Sequence, residues 1–276
     1  MDEVLLTSTP AEGVLQLTMN RPDALNAMTQ PMVNGMRRTL DEAARDPGVR
    51  VVVLTGAGRG FCSGADRARY AEPDLTDPIQ ARWSQDPLYR EREMRYDRLR
   101  YQMDIVQLLY SMEKPTLAAV RGPAVGAGLG MAVACDLRIA SRTAVFRSAF
   151  ASIAYAGDYG VGYLLSRLLG GGKAREMMLL DDKMDATAAL ACGLVNWVVD
   201  DSELEAKTLE IAARLAAGSP IGYRYMKRNF VQADHAHFRD YLDSEALHQM
   251  LTTSSADAAE ARTALKEKRA PKYSGR

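Results

Sequence analysis

The sequence predicts an α/β fold in which helices cover a sheet, and two passages from strand to helix support this prediction. Residues 49–55 form an apolar, β-branched run that ends at Gly56, which is typical of a buried strand. Thr116–Val120 is a second such run, and a glycine-rich loop and an apolar helix at 129–134 follow it. Regular alternation of this kind is typical of a covered sheet. It fits both a doubly wound sheet and a coil of successive strand–helix turns.

Hydrophobic periodicity and capping signals predict the remaining elements. Val14–Met19 alternates as a half-buried strand does. Thr29 before Pro31 indicates a helix that runs toward Ala44. Later strands are expected at 136–140 and 195–199. Amphipathic helices are expected at 202–217, 220–233, 238–253 and 256–266. We therefore expect a core over residues 1–200 and a helical region over 201–276 that is suited to subunit packing.

Residues 67–100 differ from the rest of the chain because they combine arginines, tyrosines and prolines. The segment begins like a linker and becomes helical toward Met112. One interpretation is a solvated, variable insertion. The other is a wall of an acyl pocket whose arginines also attract phosphates.

Composition excludes several classes of protein. The 35 lysines and arginines balance 35 aspartates and glutamates, whereas a nucleic-acid partner would favour a basic excess. The three cysteines are scattered and form neither a disulfide framework nor a metal pair. The N-terminus lacks the pattern of a signal peptide, and no apolar run is long enough to cross a bilayer. We expect a soluble, cytoplasmic protein without a metal, a nucleic-acid partner or a membrane partner.

Two glycine-rich loops, at residues 58–66 and 122–130, indicate a site for negative charge. The second loop is not the dinucleotide fingerprint GxGxxG, because Met131 stands at the final glycine position, and no phosphate-binding GxxxxGK[ST] motif occurs. Each loop follows a predicted buried strand and leads toward a helix. Paired backbone N–H donors at helix N-termini fit this arrangement better than a nucleotide site does.

Asp158 is the strongest candidate for moving a proton. His235, His237 and His248 all lie in the helical tail, and Cys62 has no histidine nearby in sequence, so it is interpreted as a small buried residue. Asp158 follows an apolar segment and is flanked by glycines at an expected helix entrance. An aspartate in such a place also serves as an ordinary N-cap, and residue type alone favours that interpretation.

The chain resembles the crotonase, or enoyl-CoA hydratase/isomerase, superfamily over nearly its whole length. The segments that carry the resemblance are 20–26 (NRPDALN), 60–66 (GFCSGAD), 114–122 (KPTLAAVRG), 134–140 (ACDLRIA), 191–195 (ACGLV) and 267–269 (EKR). Their order and spacing are together highly specific. The resemblance implies a spiral of ββα units, a C-terminal helical trimerisation region, an acyl-CoA substrate, and a homotrimer or hexamer. It implies no cofactor beyond the coenzyme A of the substrate.

The resemblance also assigns roles to individual residues. It places the two oxyanion donors at the backbone N–H groups of Ala65 and Ala127. It implies a binding site for the acyl-CoA at Ala24, Leu25, Asp66, Arg67, Ala68, Phe150 and Lys268. Backbone contacts are expected to dominate along the coenzyme A path, and Lys268 is expected to reach the phosphates across or near a subunit boundary.

Departures from the superfamily pattern narrow the expected reaction. The two glutamates of the hydratases match Gly130 and Phe150 here, and neither residue carries a proton. Asp158 stands where the superfamily's enoyl-CoA isomerases place their acid/base carboxylate, and the 149–158 run resembles the isomerase branches, including epoxyphenylacetyl-CoA isomerase. An apolar wall of Phe150, Ile153 and Tyr155 would raise the basicity of this carboxylate.

The sequence therefore predicts an enoyl-CoA isomerase that uses Asp158. The alternatives are a hydratase (lyase) with nonstandard water activation and a non-catalytic acyl-CoA-binding subunit. A nucleophilic aspartate, as in the superfamily's dehalogenases, is a minor option.

Overall fold

The computed structural model describes residues 3–66, 68, 72–89 and 91–276. The described strands are β1 Leu5–Ala11, β2 Val14–Met19, β3 Val51–Gly56, β4 Thr116–Val120, β5 Pro123–Val125, β6 Leu137–Ser141, β7 Val145–Arg147, β8 Met184–Asp185 and β9 Trp197–Val199. Six of them form a sheet in the order β1-β2-β3-β4-β6-β9, in which β1 and β2 are antiparallel and the other neighbours are parallel. A small second sheet has the order β5-β7-β8.

The described helices lie between the strands and, beyond β9, in a C-terminal series. They are α1 Gln30–Arg45, α2 Pro78–Ser84, α3 Arg92–Gln102, α4 Asp104–Ser111, α5 Ala127–Ala134, α6 Val161–Leu179, α7 Ala186–Ala191, α8 Leu204–Ala216, α9 Pro220–Ala233, α10 Phe238–Thr253 and α11 Ala256–Glu267. Short 3₁₀ turns occur at Pro22–Ala24 and Ala151–Ile153.

Apolar side chains cover both faces of the large sheet, as the apolar runs predict. Successive strand residues point to opposite faces, so Val52 and Leu54 of β3 join the main core while Val51 and Val53 pack beneath α8. Ile211 and Ala212 of α8 complete the second core. Helix α8 follows the predicted boundary at 200/201, yet it packs directly on the large sheet, which precedes this boundary. Helices α9 to α11 come after α8 along the chain.

The parallel register of β3 and β4 brings the two glycine-rich loops together. Val52 pairs with Thr116 and Thr55 pairs with Ala119, so both strands end at the same edge of the sheet. Beyond this edge, an isolated parallel bridge joins Cys62 to Ala124. The predicted pairing of the loops thus has a structural basis in neighbouring parallel strands.

Several predicted boundaries are wrong by about two residues because local hydrogen bonds compete with the regular elements. The strand predicted at 195–199 begins at Trp197, since the N–H groups of Leu194 and Val195 donate to the carbonyl of Ala189. The helix predicted from Ser202 begins at Leu204, after a turn closed by the N–H of Glu203.

Candidate active site

A fully buried asparagine holds the first glycine-rich loop. The Asn26 side chain donates from Nδ2 to the carbonyls of Ala57 at 3.0 Å and Gly60 at 2.7 Å. Its Oδ1 accepts the N–H of Arg21 at 2.8 Å. Asn26 has a left-handed backbone, with φ 57°, which asparagine tolerates better than most residues. Sequence reasoning gave Asn26 no role, although it closes the 20–26 motif that carries the resemblance.

No described residue accepts a hydrogen bond from the Ala65 N–H. Met28 donates its N–H to the carbonyl of Gly64 at 2.8 Å and accepts the N–H of Asp66 at 2.9 Å, which forms a parallel bridge centred on Ala65. The C=O of Gly64 and the N–H of Asp66 both face Met28. In extended backbone, the N–H and C=O of the residue between them point to the opposite side. The Ala65 N–H therefore points away from Met28, and the residue itself is exposed.

Ala127 is the first residue of α5, so its N–H is one of the unpaired donors at a helix N-terminus. Gly126 enters the helix with φ 55° and donates its own N–H to Arg147. The start of α5 packs directly on the first loop, because a Cβ added at Gly128 would stand 2.3 Å from the carbonyl oxygen of Cys62. The two predicted donors thus belong to segments in direct contact.

Phe150 connects this region with Asp158. The Phe150 ring is buried, and its atoms lie 4.0 Å from a Cβ built on Gly126 and 3.7 Å from one built on Gly157. The Asp158 segment and the turn that precedes Ala127 therefore both pack against the same aromatic ring. The structure brings the three predicted catalytic residues into one region.

The Asp158 carboxylate is partly buried, and its Oδ1 is fully buried without a hydrogen-bond partner among the described residues. Burial raises the pKa of Asp158 from 3.8 to about 6, because desolvation disfavours the charged form. The N-cap interpretation is wrong, since α6 begins at Val161 with Gly160 as its N-cap and no side-chain hydrogen bond caps it. Burial therefore makes the Asp158 carboxylate a stronger base than an exposed aspartate.

A second aspartate, Asp181, organises the loop that carries Phe150. Its carboxylate accepts hydrogen bonds from Ser148 Oγ at 2.8 Å and the Ser152 N–H at 3.2 Å, and it pairs with Arg147 at 3.1 Å. Burial alone would raise the pKa of Asp181, but the hydrogen bonds from Ser152 and Ser148 outweigh it and lower the pKa. Sequence reasoning missed Asp181 because nothing local links it to partners about thirty residues away.

The predicted apolar wall is only partly formed by one chain. Phe150 is buried, but Ile153 is 37 % exposed and Tyr155 is 68 % exposed. Both residues follow the Phe150 turn on the outer side of the loop. Within one chain, the described desolvation of Asp158 therefore depends on other neighbours.

The expected coenzyme A path begins beside the first loop. The carbonyls of Ala24 and Leu25 accept hydrogen bonds from Ser63, from Oγ at 3.3 Å and from N–H at 3.0 Å respectively. This places both residues on the segment that supports Ala65.

The remaining predicted binding residues are more scattered. Asp66 forms an ion pair with Arg21 at 2.8 Å, and the exposed Ala68 donates its N–H to Asp66 Oδ1. Arg67 lies outside the described residues. Lys268 is exposed at the end of α11, with φ 54°, and no described hydrogen bond joins it to residues 24–25.

The part of residues 67–100 that the structure describes contains a buried polar network. Gln80 donates to Gln30 Oε1 at 2.8 Å and to Asn34 Oδ1 at 3.0 Å, and Gln102 also donates to Gln30 at 2.8 Å. Asp74 accepts from Asn34 Nδ2 at 3.0 Å. Asp74 and Gln80 are therefore anchored to α1 by hydrogen bonds, while most of the other described residues of this segment are exposed.

Cys62 and possible metal ligands are the other groups to consider. Cys62 is fully buried, and burial raises its pKa to about 12, which agrees with a structural thiol. Among the described residues, no group of three or more His, Cys, Asp or Glu side chains is placed to hold a metal. None of the described helices is both long and apolar enough to span a membrane.

The fold and this region define an α/β protein with a buried carboxylate beside two loops that offer backbone N–H groups. Residues 9–276 match the family model described as enoyl-CoA hydratase/isomerase, and the chain belongs to that family. The "Probable enoyl-CoA hydratase echA12" of Mycobacterium bovis is 35 % identical over 277 residues, which cover 98 % of this chain and 92 % of the relative. The "1,2-epoxyphenylacetyl-CoA isomerase" of Escherichia coli K12 is 33 % identical over 265 residues and covers 96 % of each chain.

Solved structures agree with this assignment. An enoyl-CoA hydratase/isomerase structure from Mycobacterium abscessus matches with a TM-score of 0.86 and 32 % identity over 99 % of this chain and 100 % of the other. The enoyl-CoA hydratase from Bacillus anthracis also gives a TM-score of 0.86, at 26 % identity over 99 % and 100 % of the two chains. The predicted crotonase-like α/β spiral with C-terminal helices is confirmed.

Proposed function

We propose that this member of the enoyl-CoA hydratase/isomerase family is an enoyl-CoA isomerase in which Asp158 transfers the proton. The observation that carries the proposal is the Asp158 carboxyl group: its Oδ1 is buried without a hydrogen-bond partner among the described residues, and its pKa is raised to about 6. A carboxyl group with such a pKa is largely ionised at neutral pH yet remains a stronger base than an ordinary aspartate. Both halves of an isomerisation, proton removal and proton return, need a group of this kind.

The proposed reaction shifts the double bond of a 3-enoyl-CoA thioester. Asp158 takes the proton from C2, and the electrons of the C–H bond delocalise over the thioester to leave a dienolate with charge on its oxygen. The protonated Asp158 then delivers the proton to C4. The C3–C4 double bond becomes a C2–C3 double bond, and the carboxylate is regenerated. No oxidant, reductant or water is consumed, and we propose that no cofactor beyond the substrate's coenzyme A is needed.

The amides of Ala65 and Ala127 are proposed to stabilise the charge that develops on the thioester oxygen. Ala65 presents an N–H directed away from its bridge, and Ala127 presents an N–H at the positive end of α5. One donor of this kind is typically worth about 10²–10³-fold in rate. Two such donors support enolate formation from a thioester whose C2 proton is only weakly acidic.

Hydration is the second candidate, and the names of most of the compared relatives favour it. The Mycobacterium bovis relative, for example, is named a hydratase. Addition of water requires groups that activate the water and protonate the neighbouring carbon. Gly130 and Phe150, which match the two hydratase glutamates, offer neither function. Isomerisation needs only one carboxylate and therefore agrees better with the residues present.

We propose that Ala24, Leu25 and residues 66–68 border the coenzyme A path, with Phe150 against the acyl group and Lys268 attracting the phosphates. The adjacency of residues 24–25 to the Ala65 loop supports this path. Because Lys268 lies on the C-terminal helices, its contribution is proposed to act across a subunit boundary.

Product analysis tests the proposed function. In deuterated buffer, the enzyme should convert a 3-enoyl-CoA to the 2-enoyl isomer and exchange deuterium at C2, while a 2-enoyl-CoA should gain no hydroxyl group. A 3-hydroxyacyl-CoA as the main product would establish the hydratase alternative. Binding of both thioesters without exchange or turnover would indicate a non-catalytic acyl-CoA-binding subunit.

We also propose that the protein assembles as a homotrimer or hexamer. Large apolar side chains are strongly exposed on α9 to α11, at Met226, Phe230, Phe238, Leu247, Met250 and Leu265. An open cleft of about 750 Å³ lies between the same helices, away from Asp158. Apolar surface of this extent is typical of subunit contacts. Light scattering should give three or six times the mass of one chain, and a stable monomer at micromolar concentration would contradict the proposal.

A further inference from the structure

Helix α5 contacts the Asp158 segment at Gly130, where no side chain fits. A Cβ added at Gly130 would stand 2.6 Å from the Tyr159 carbonyl oxygen, 2.8 Å from Tyr159 Cβ and 3.2 Å from Val161 Cγ2. The first two distances are shorter than real Cβ contacts, and one of them is to backbone, which cannot rotate away. The backbone next to Asp158 therefore touches α5 only because residue 130 is glycine.

The segment around Asp158 has an unusual backbone that needs such support. Gly157, Tyr159 and Gly160 all have positive φ, at 111°, 48° and 69°. Tyrosine rarely adopts this conformation, and it persists where the surrounding structure holds it in place. Tyr159 is completely buried, and the contact with Gly130 lies directly at its backbone.

Helix α5 also begins with Ala127, whose amide is proposed to bind the thioester oxygen. One short helix thus supports both the Ala127 donor and, three residues further on, the contact with Tyr159. How closely Tyr159 approaches residue 130 therefore affects how far Asp158 lies from the Ala127 amide.

We propose that Gly130 is a positioning residue for Asp158: its missing side chain lets the Tyr159 backbone reach α5 and sets the carboxylate at working distance from the Ala127 amide. This inference rests on the proposed function of Asp158. A glutamate at position 130, where the hydratases carry one, would occupy the space that the Tyr159 backbone fills here.

Gly130→Ala tests the inference, with Gly172→Ala as the matched control. Gly172 also lies in a helix, but a Cβ there would meet nothing within 4 Å. We expect Gly130→Ala to lower kcat on the order of 10²-fold with little change in KM, because a displacement of about 1 Å at the reacting groups has this effect. Gly172→Ala should leave kcat unchanged.

A double-mutant cycle separates positioning from a merely structural role. If Gly130 acts through Asp158, Gly130→Ala should lower the rate of deuterium exchange at C2 in the wild-type background. In the Asp158→Asn background, the same substitution should lower that rate little further. An equal loss in both backgrounds, or a Gly130→Ala enzyme as active as Gly172→Ala, would overturn the inference. Full activity of Asp158→Asn alone would instead refute the proposed function, so the two failures are distinguishable.

A second pair of variants decides the question if Gly130→Ala does not fold. Gly160 and Gly170 both have positive φ, and neither would bring a Cβ closer than 3.5 Å to another residue. Gly170, with ψ 159°, lies in a region that essentially only glycine adopts, whereas Gly160, with ψ 10°, lies in the left-handed helical region. Alanine therefore costs more at Gly170, which makes Gly170→Ala a demanding control for backbone strain. Gly160 adjoins the Tyr159 contact, whereas Gly170 lies far along α6. Gly160→Ala should lower kcat in the wild-type background but not in the Asp158→Asn background. Equal kcat for Gly160→Ala and Gly170→Ala would overturn the inference.

Discussion

Asp158→Asn is expected to lower turnover of a 3-enoyl-CoA toward the upper end of the range of about 10²–10⁴-fold that general acid–base catalysis contributes. The amide keeps the shape of the carboxylate but cannot accept the proton. Deuterium exchange at C2 should fall by the same factor, because both measurements depend on the same proton removal. An Asp158→Asn enzyme with wild-type exchange would show that another group is the base.

The control for this variant is its folding and its binding of a saturated acyl-CoA, both of which should survive. Burial raises the pKa of Asp158 from 3.8 to about 6, so ionisation of Asp158 opposes folding. This cost is absent below the unfolded pKa and grows to roughly 3 kcal/mol as pH rises through the folded pKa. At pH 8 the asparagine variant should therefore melt no lower than the wild type. A lower melting temperature would contradict the desolvated state of the carboxylate.

The same carboxylate should control the pH dependence of the wild-type enzyme. Since the base must be ionised, kcat/KM should decrease tenfold per pH unit below about pH 6 and reach a plateau above it. Burial raises this pKa, and no charged group among the described residues contributes to the shift, so added salt should change the pH dependence little. The residual activity of Asp158→Asn should not show this decrease at low pH.

Ala127→Pro is expected to lower kcat/KM by at least about 10²–10³-fold, the effect of losing one oxyanion donor. Proline removes the N–H and places its Cδ where the amide hydrogen stood, and the first helical position is the one where proline is best tolerated. Gly126, with φ 55° and ψ −122°, precedes it in a conformation that glycine adopts freely. The measurement is steady-state turnover together with C2 exchange.

Two controls isolate the amide. Ala127→Gly retains the N–H and should retain most activity. Ala256→Pro places the same substitution at the first position of α11, where Ser255 caps the helix through the N–H of Ala258, and should leave turnover unchanged. If Ala127→Pro were as active as Ala127→Gly, the Ala127 amide would not bind the oxyanion.

The sequence by itself determined the parts of this protein that depend on local pattern. The runs at Val14–Met19 and Thr116–Val120 form strands as predicted, since each combines apolar side chains with nearby turn residues. Helices α9 and α10 also have the predicted bounds. The ordered motifs from 20–26 to 267–269 further identified the family and singled out Asp158.

The tertiary structure alone decided what surrounds these residues. Asp158 has the sequence context of a helix cap. Only the packing around it buries Oδ1, leaves that oxygen without a hydrogen-bond partner in the described part of the chain, and raises the pKa of the carboxyl group. Asp181 accepts hydrogen bonds from Ser148 and Ser152, and the backbone of Tyr159 packs against Gly130. Both contacts join segments that are about thirty residues apart in the sequence. Local propensity carries no information about such contacts. Desolvation and close approach depend on which distant segments meet, and the meeting of segments is a property of the folded chain.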